Sequence, residues 1–274
     1  MDIIVAIRAR TPFLVYYRAM QILKRWTLFK ISGIPVCLDL SVALLVAYLI
    51  YVYFDAQYPI LTFLVGLYVA AGLLISILLH ELTHSLFVIV FGGRVRDITL
   101  QLLGGCAMIA RMPPRPVHEC VIALAGPVCS LLLAVNLWWI ASFFTHYGFW
   151  FEILAVLNLG LAFFNLIPAF PMDGGRILRS LLQCFGKTKL AATEIATAVG
   201  RSFAAIWVVS AIVNFLGFPI SEPAGMPWWF DFLWGIVLGD GGIFRLLIAY
   251  MIWTASAQEL AYVRAEADYY GGWR

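Results

Sequence analysis

The sequence predicts an all-α polytopic membrane protein of about six transmembrane helices, with a small re-entrant strand or loop element. Three observations predict it. Hydrophobic residues make up 63% of the 274 and charged residues only 12%, with a mean hydropathy of +0.93; a soluble domain carries about 25% charge. The apolar residues come in runs long enough to cross a bilayer, which takes roughly 20 residues of helix. The basic residues, finally, gather on one side of those runs.

The elements follow in order. Residues 1–37 form an N-terminal segment interrupted by Arg8, Arg10, Arg18, Lys24, Arg25 and Lys30, so it lacks the apolar core of a cleavable signal. From Pro12 to Thr27 the pattern suits an interfacial helix, with Phe13, Tyr17 and Met20 toward lipid and Arg18, Gln21 and Arg25 toward headgroups. Six spans are expected near Leu38–Phe54, Leu61–Phe91, Cys120–Phe144, Phe149–Ile167, Ala198–Phe218 and Ile243–Leu260. Residues 38–260 are thus the membrane domain and 261–274 a short tail. No intervening segment has the roughly 50 residues a further domain needs.

Seventeen of the 18 Lys and Arg then fall on one side, with only Arg245 on the other. By the positive-inside rule that side is cytoplasmic, and with it both termini. The net charge is only +3, so the lipid bilayer, and no nucleic acid, is the expected partner. The five cysteines (Cys37, Cys106, Cys120, Cys129, Cys184) show no CxxC pair, which argues against disulfides or a thiolate metal site.

Near the inner half of the second span the chain reads His80-Glu81-Leu82-Thr83-His84. Residues four apart share a helix face, about 6 Å along the axis. Both imidazoles can therefore reach one ion. Zinc suits neutral imidazoles, and a catalytic zinc keeps a fourth position for water. Glu81 stands beside the pair as the general base that takes a proton from that water and hands it to the leaving amine. The motif arises by chance in roughly one such sequence in several hundred. Read blandly it is a polar patch between helices, which is costly inside a membrane.

A third ligand is needed. His146 falls in an outer loop, across the membrane from the motif. His118 lies on the correct side and reads as an interfacial residue at a helix start, although position alone leaves it open. Asp173 is the better candidate, in Asn165-Leu166-Ile167-Pro168-Ala169-Phe170-Pro171-Met172-Asp173-Gly174-Gly175. Its prolines and glycines end the fourth span, and unwound backbone at membrane depth is tolerated only where protein or water covers it. The alternative is that Asp173 merely caps the helix that begins near Arg176.

Ile98–Leu103 reads as a short strand followed by Gly104 and Gly105. It is expected to re-enter the membrane and to pair with an unwound substrate segment; an ordinary buried loop is the competing reading. Asn165 is placed to bind substrate backbone or a developing oxyanion, or else to satisfy carbonyls freed at the helix end.

On these residues the sequence resembles the site-2 protease family of intramembrane zinc metalloproteases. The match rests on His80-Glu81-Leu82-Thr83-His84 and on Asn165-x-x-Pro168-x-x-Pro171-x-Asp173-Gly174. Softer matches are Gly33-Ile34-Pro35-Val36, Gly104-Gly105 and Ala125-Gly126-Pro127. The resemblance implies one Zn2+ per chain held by His80, His84 and Asp173, with Glu81 as catalytic base. It implies membrane-protein substrates cleaved within or near a transmembrane segment, and by analogy a prokaryotic cell membrane with the active site toward the cytoplasm. Some relatives carry a PDZ or paired cystathionine-β-synthase domains; this chain has room for neither, so the regulatory input they supply is expected to be absent or to come from a partner protein or a homo-oligomer. Two other classes compete. A transporter would show inverted repeats or acids on several spans, and a non-catalytic metal-binding scaffold would have no use for Glu81.

Overall fold

The computed structural model describes residues 25–101, 104–145, 147–216, 225 and 242–271. In chain order it runs β1 (Arg25–Ile31), β2 (Ile34–Asp39), α1 (Val42–Tyr53), α2 (Pro59–Val90), β3 (Arg94–Gln101), β4 (Gly104–Arg111), α3 (Pro116–Ala141), α4 (Gly148–Leu166), α5 (Asp173–Cys184), α6 (Lys189–Phe215) and α7 (Gly242–Gly271). Five helices, α2, α3, α4, α6 and α7, are long and apolar enough to cross a membrane. That fits an integral membrane protein, as the composition requires.

The expected first span is corrected. Leu38 and Asp39 end strand β2, and α1 has only 12 residues. At 1.5 Å per residue such a helix covers about 18 Å, short of a hydrocarbon core of about 30 Å. Asp39 makes the division: it is 4% exposed, and its Oδ1 accepts the Ser41 N–H at 2.9 Å. The carboxylate ends the strand and starts the helix in one turn. The interfacial helix expected over Pro12–Thr27 lies largely outside the described residues, but its last residues, Arg25–Thr27, are strand. Trp26, Thr27, Phe29 and Ile31 favour extended backbone. Ser32 and Gly33, both at positive φ, form the two-residue turn that pairs Ile31 with Ile34.

The chain divides into two compact units at Ala162–Phe163. In the first, the four strands lie in the order β1-β2-β3-β4. β1 and β2 are antiparallel, β2 and β3 parallel (Val36 opposite Ile98, Leu38 opposite Leu100), and β3 and β4 antiparallel. A parallel pair needs a long crossover, and α1 with α2 supplies it. Both β3 and β4 pack on α2. Buried Val42, Ile77 and Leu100 form the core where α1, α2 and β3 meet. The expected strand over Ile98–Leu103 is therefore real but shifted: β3 covers Arg94–Gln101, Leu102 and Leu103 lie outside the described residues, and Gly104 and Gly105 open a second strand. The pairing of Ile98–Leu103 with substrate is corrected, because β3 is already bonded to β2 on one edge and to β4 on the other. On α2, Gly72 faces Leu154 of α4, and Ser76 Oγ accepts from Asn158 Nδ2 at 2.9 Å. Such interhelical bonds contribute only about 0.6 kcal/mol in membranes, so close packing does most of the holding.

In the second unit α6 and α7 run antiparallel. The pairs Lys189–Glu266, Glu194–Arg264, Arg201–Trp253 and Ser210–Arg245 mark their register from end to end. Charged turns at one end explain why both helices outrun the expected apolar spans: α6 begins at Lys189, capped by Thr188, and α7 continues to Gly271. Buried Ala169 and Met172 join Ala204, Trp207, Ala249 and Ile252 in one cluster.

Candidate metal centre

The His80 and His84 rings sit one turn apart on α2, at 2% and 4% exposure. Their outer nitrogens are both engaged by α3. His84 Nδ1 lies 2.6 Å from the Ile122 carbonyl, and His80 Nδ1 lies 3.0 Å from Ser130 Oγ. A carbonyl only accepts, so His84 Nδ1 donates, and the neutral ring carries its lone pair on Nε2. The Ser130 hydroxyl can accept from His80 Nδ1 or donate to it, and the two Nε2 atoms lie 3.1 Å apart. With Nδ1–H of both rings given outward, both Nε2 lone pairs are available to one cation. Two nitrogens bound to a tetrahedral zinc at about 2.0–2.1 Å sit roughly 3.3 Å apart. The donor set therefore fits zinc without rearrangement.

Gly126 makes room for it. Ile122, Gly126 and Ser130 recur every four residues and so form one face of α3. A Cβ on Gly126 would collide with Nε2 of both histidines. The motif Ala125-Gly126-Pro127 thus keeps the space in front of the two nitrogens open. Ser130 and the Ile122 carbonyl escaped the sequence reading; their spacing about Gly126 was the available signal. Outer partners of metal-bound histidines fix ring orientation and basicity. Ser130→Ala is accordingly expected to weaken zinc affinity about 10-fold, measured by chelator competition on the purified protein.

Glu81 is partly buried on the same turn. Its Oε2 accepts the Ala107 N–H of β4 at 3.1 Å, and a Cβ on Gly105 would strike its Cγ. The strand and the candidate base are thus in direct contact, with Gly105 permitting the approach. Gly104 sits at φ 126 at the start of β4. His118 stacks on Phe91 with ring centroids 4.3 Å apart. Phe91 is seven residues past His84, about 10 Å along the helix axis, which sets His118 apart from the imidazole pair. His146 lies outside the described residues.

The second unit carries Asp173 and Asn165. Asn165 is half-buried in the last turn of α4. Met172 holds the N-cap position of α5 and Asp173 its first helical one. Asp173 is 7% exposed, with Arg176 Nη1 at 3.8 Å from its Oδ1. A helix dipole contributes up to about 2 kcal/mol to a buried carboxylate there, less than the several kcal/mol its burial costs. Helix stabilisation alone does not account for the position.

The model of peptidase family M50 matches residues 68–150 and 142–207. The chain belongs to peptidase family M50. The match takes in the His80–His84 turn, the Gly126 face and the Asp173 segment. Among M50 relatives, a zinc metalloprotease of Methanocaldococcus jannaschii is 35% identical over 194 residues, 68% of this chain and 54% of that protein. Stage IV sporulation protein FB of Bacillus subtilis is 32% identical over 107 residues, 39% of this chain and 37% of that protein. The solved site-2 protease from Methanocaldococcus jannaschii is similar at a TM-score of 0.58 and 30% identity, covering 86% of this chain and 95% of that one. The chain spans about half the length of the curated relatives it matches first, 54% and 51%.

Proposed function

We propose that this M50 chain is a site-2-type intramembrane zinc metalloprotease. It hydrolyses peptide bonds within or near transmembrane segments of membrane-protein substrates. The observation that carries the reading is the imidazole pair, held on an apolar helix with both Nε2 atoms 3.1 Å apart and with the Glu81 carboxylate on one of the three residues between them. Ionisable groups in that setting are expensive unless they act.

His80, His84 and Asp173 are the proposed ligands of a single zinc. The two histidines are supported by their fixed outer nitrogens, and Asp173 by its burial at the head of α5. When bound, zinc supplies Lewis acidity, polarising a peptide carbonyl and acidifying water. Glu81 takes the proton from the attacking water and delivers it to the amine of the departing peptide, so the net change is one water across one amide bond. Asn165 is assigned to the substrate backbone or oxyanion. The substrate must present extended backbone, because a helix hides its carbonyls. β4, the end strand of the sheet, with Ala107 hydrogen-bonded to Glu81, is the proposed place for it. Seventeen of 18 basic residues on one side favour a cytoplasmic active site in a cell membrane.

The test is cleavage of a membrane-spanning model substrate by the protein in liposomes. Cleavage should stop on chelation and return with zinc. Persistence in a metal-free preparation would end the metalloprotease reading. For the strand, a photocrosslinker at Gly104 should capture a trapped substrate; absence of any adduct there, with adducts forming elsewhere, removes β4 as the docking strand.

A further inference from the structure

Helix α7 lies beyond the residues the M50 model matches, 68–207, yet it grips the backbone that presents Asp173. Three contacts show the grip, all inside the second unit. Ala169 and Met172, at 0% and 3% exposure, pack with Ala249 and Ile252 of α7. Ser256 Oγ lies 3.5 Å from the Phe170 carbonyl oxygen. Glu259 forms an ion pair with Arg179 of α5, and the Arg179 guanidinium lies 5.2 Å from the centroid of the Phe170 ring. Arg179 is only 7% exposed, and that carboxylate and ring are among the groups that hold its charge.

We propose that Glu259, through Arg179 and Phe170, is a positioning residue for the metal centre. The segment from Pro168 to Met172 has one turn of its own, the Met172 N–H donating to the Ala169 carbonyl at 2.9 Å, and no helical hydrogen-bond ladder to fix Asp173. The contacts with α7 and Arg179 add to that turn. Arg179 stands on α5, the helix that Asp173 opens, and touches Phe170 three residues before Asp173. The guanidinium therefore locks the two sides of the Asp173 turn together, and Glu259 locks the guanidinium. A carboxylate ligand must be held within a few tenths of an ångström, so loosening this lock weakens metal binding while leaving every proposed ligand in place.

The inference rests on Asp173 as a zinc ligand, and the experiment separates the two. Zinc affinity of the full chain in detergent micelles is measured by competition with a chelating dye. Variants are Asp173→Asn, Glu259→Gln, Glu259→Asp, Phe170→Leu and Glu266→Gln. Supporting residues of metal sites change affinity about 10–100-fold when lost, so Glu259→Gln is expected to bind zinc about 10-fold more weakly, with Glu259→Asp recovering most of that. Phe170→Leu keeps the apolar packing and removes only the ring beneath Arg179; it should weaken zinc similarly, and its effect should not add to that of Glu259→Gln. Glu266, which pairs with Lys189 at 2.7 Å elsewhere on α7, controls for general loosening of the helix and should leave affinity unchanged. Wild-type affinity in Phe170→Leu and in Glu259→Gln, with affinity lost in Asp173→Asn, overturns the lock. Equal loss in Glu266→Gln does the same. Wild-type affinity in Asp173→Asn instead overturns the ligand assignment and takes the lock with it. Should Glu259→Gln not fold, Phe170→Leu decides.

Discussion

Glu81→Gln is expected to cut proteolysis by about 10²–10⁴-fold while leaving fold and zinc content unchanged. The substitution preserves size, and the amide oxygen can still accept the Ala107 N–H that Glu81 accepts at 3.1 Å. The contact between α2 and β4 therefore survives. Neither histidine loses a partner, since their outer nitrogens are held by Ile122 and Ser130. What disappears is the carboxylate proposed to take the proton from water. General-base catalysis contributes typically about 10²–10⁴ in rate, so turnover in liposomes should fall by about that factor with substrate affinity little altered. Zinc at one per chain and an unshifted melting temperature in Glu81→Gln complete the expected result. The competing scaffold reading predicts something else: zinc in both forms and cleavage by neither, across several membrane substrates.

What the sequence revealed, and what it hid, follows from the range over which each feature is determined. The five long helices were legible because their determinant is local: an apolar run must become a helix in lipid to satisfy its own backbone. His80 and His84 were legible for the same reason, since one helical turn fixes their relation whatever the rest of the chain does. The sheet was mostly hidden. Its strands are 6 to 8 residues long, and the parallel pairing of Val36 with Ile98 is set by a crossover that no short pattern announces. Only β3 showed itself, through the alternation from Ile98 onward. The first apolar run misled because hydropathy averages over Asp39, whose single hydrogen bond to Ser41 turns one expected span into a strand and a 12-residue helix. In α6 the error ran the other way. Lys189 and Glu194 look like loop residues until Glu266 and Arg264 of α7 are seen to pair with them.

Enlarging Gly126 to valine is expected to empty the metal centre without replacing a proposed ligand. A Cβ at this position would overlap Nε2 of both His80 and His84, and α3 cannot retreat to make room. Its Ile122 carbonyl and Ser130 hydroxyl are already hydrogen-bonded to the same two rings, at 2.6 and 3.0 Å, so backing the helix away breaks the contacts that orient them. Rotating the rings aside breaks them equally. Either route leaves the two nitrogens unable to share an ion, and zinc per chain should fall from one to near zero with proteolysis lost in parallel. Gly126→Ala should do the same in milder form, retaining some metal at high zinc, because one methyl group can be met by a small shift of the backbone. Stability is expected to fall by about 1–2 kcal/mol, more for valine than for alanine: replacing glycine in a helix gains up to about 1 kcal/mol for alanine and less for valine, against overpacking of about 1–3 kcal/mol. The decisive comparison is therefore zinc content against folding. Full zinc occupancy in a folded Gly126→Val protein would mean that the ion is held somewhere other than between these two imidazoles, and the assignment of the pair as its ligands would fall.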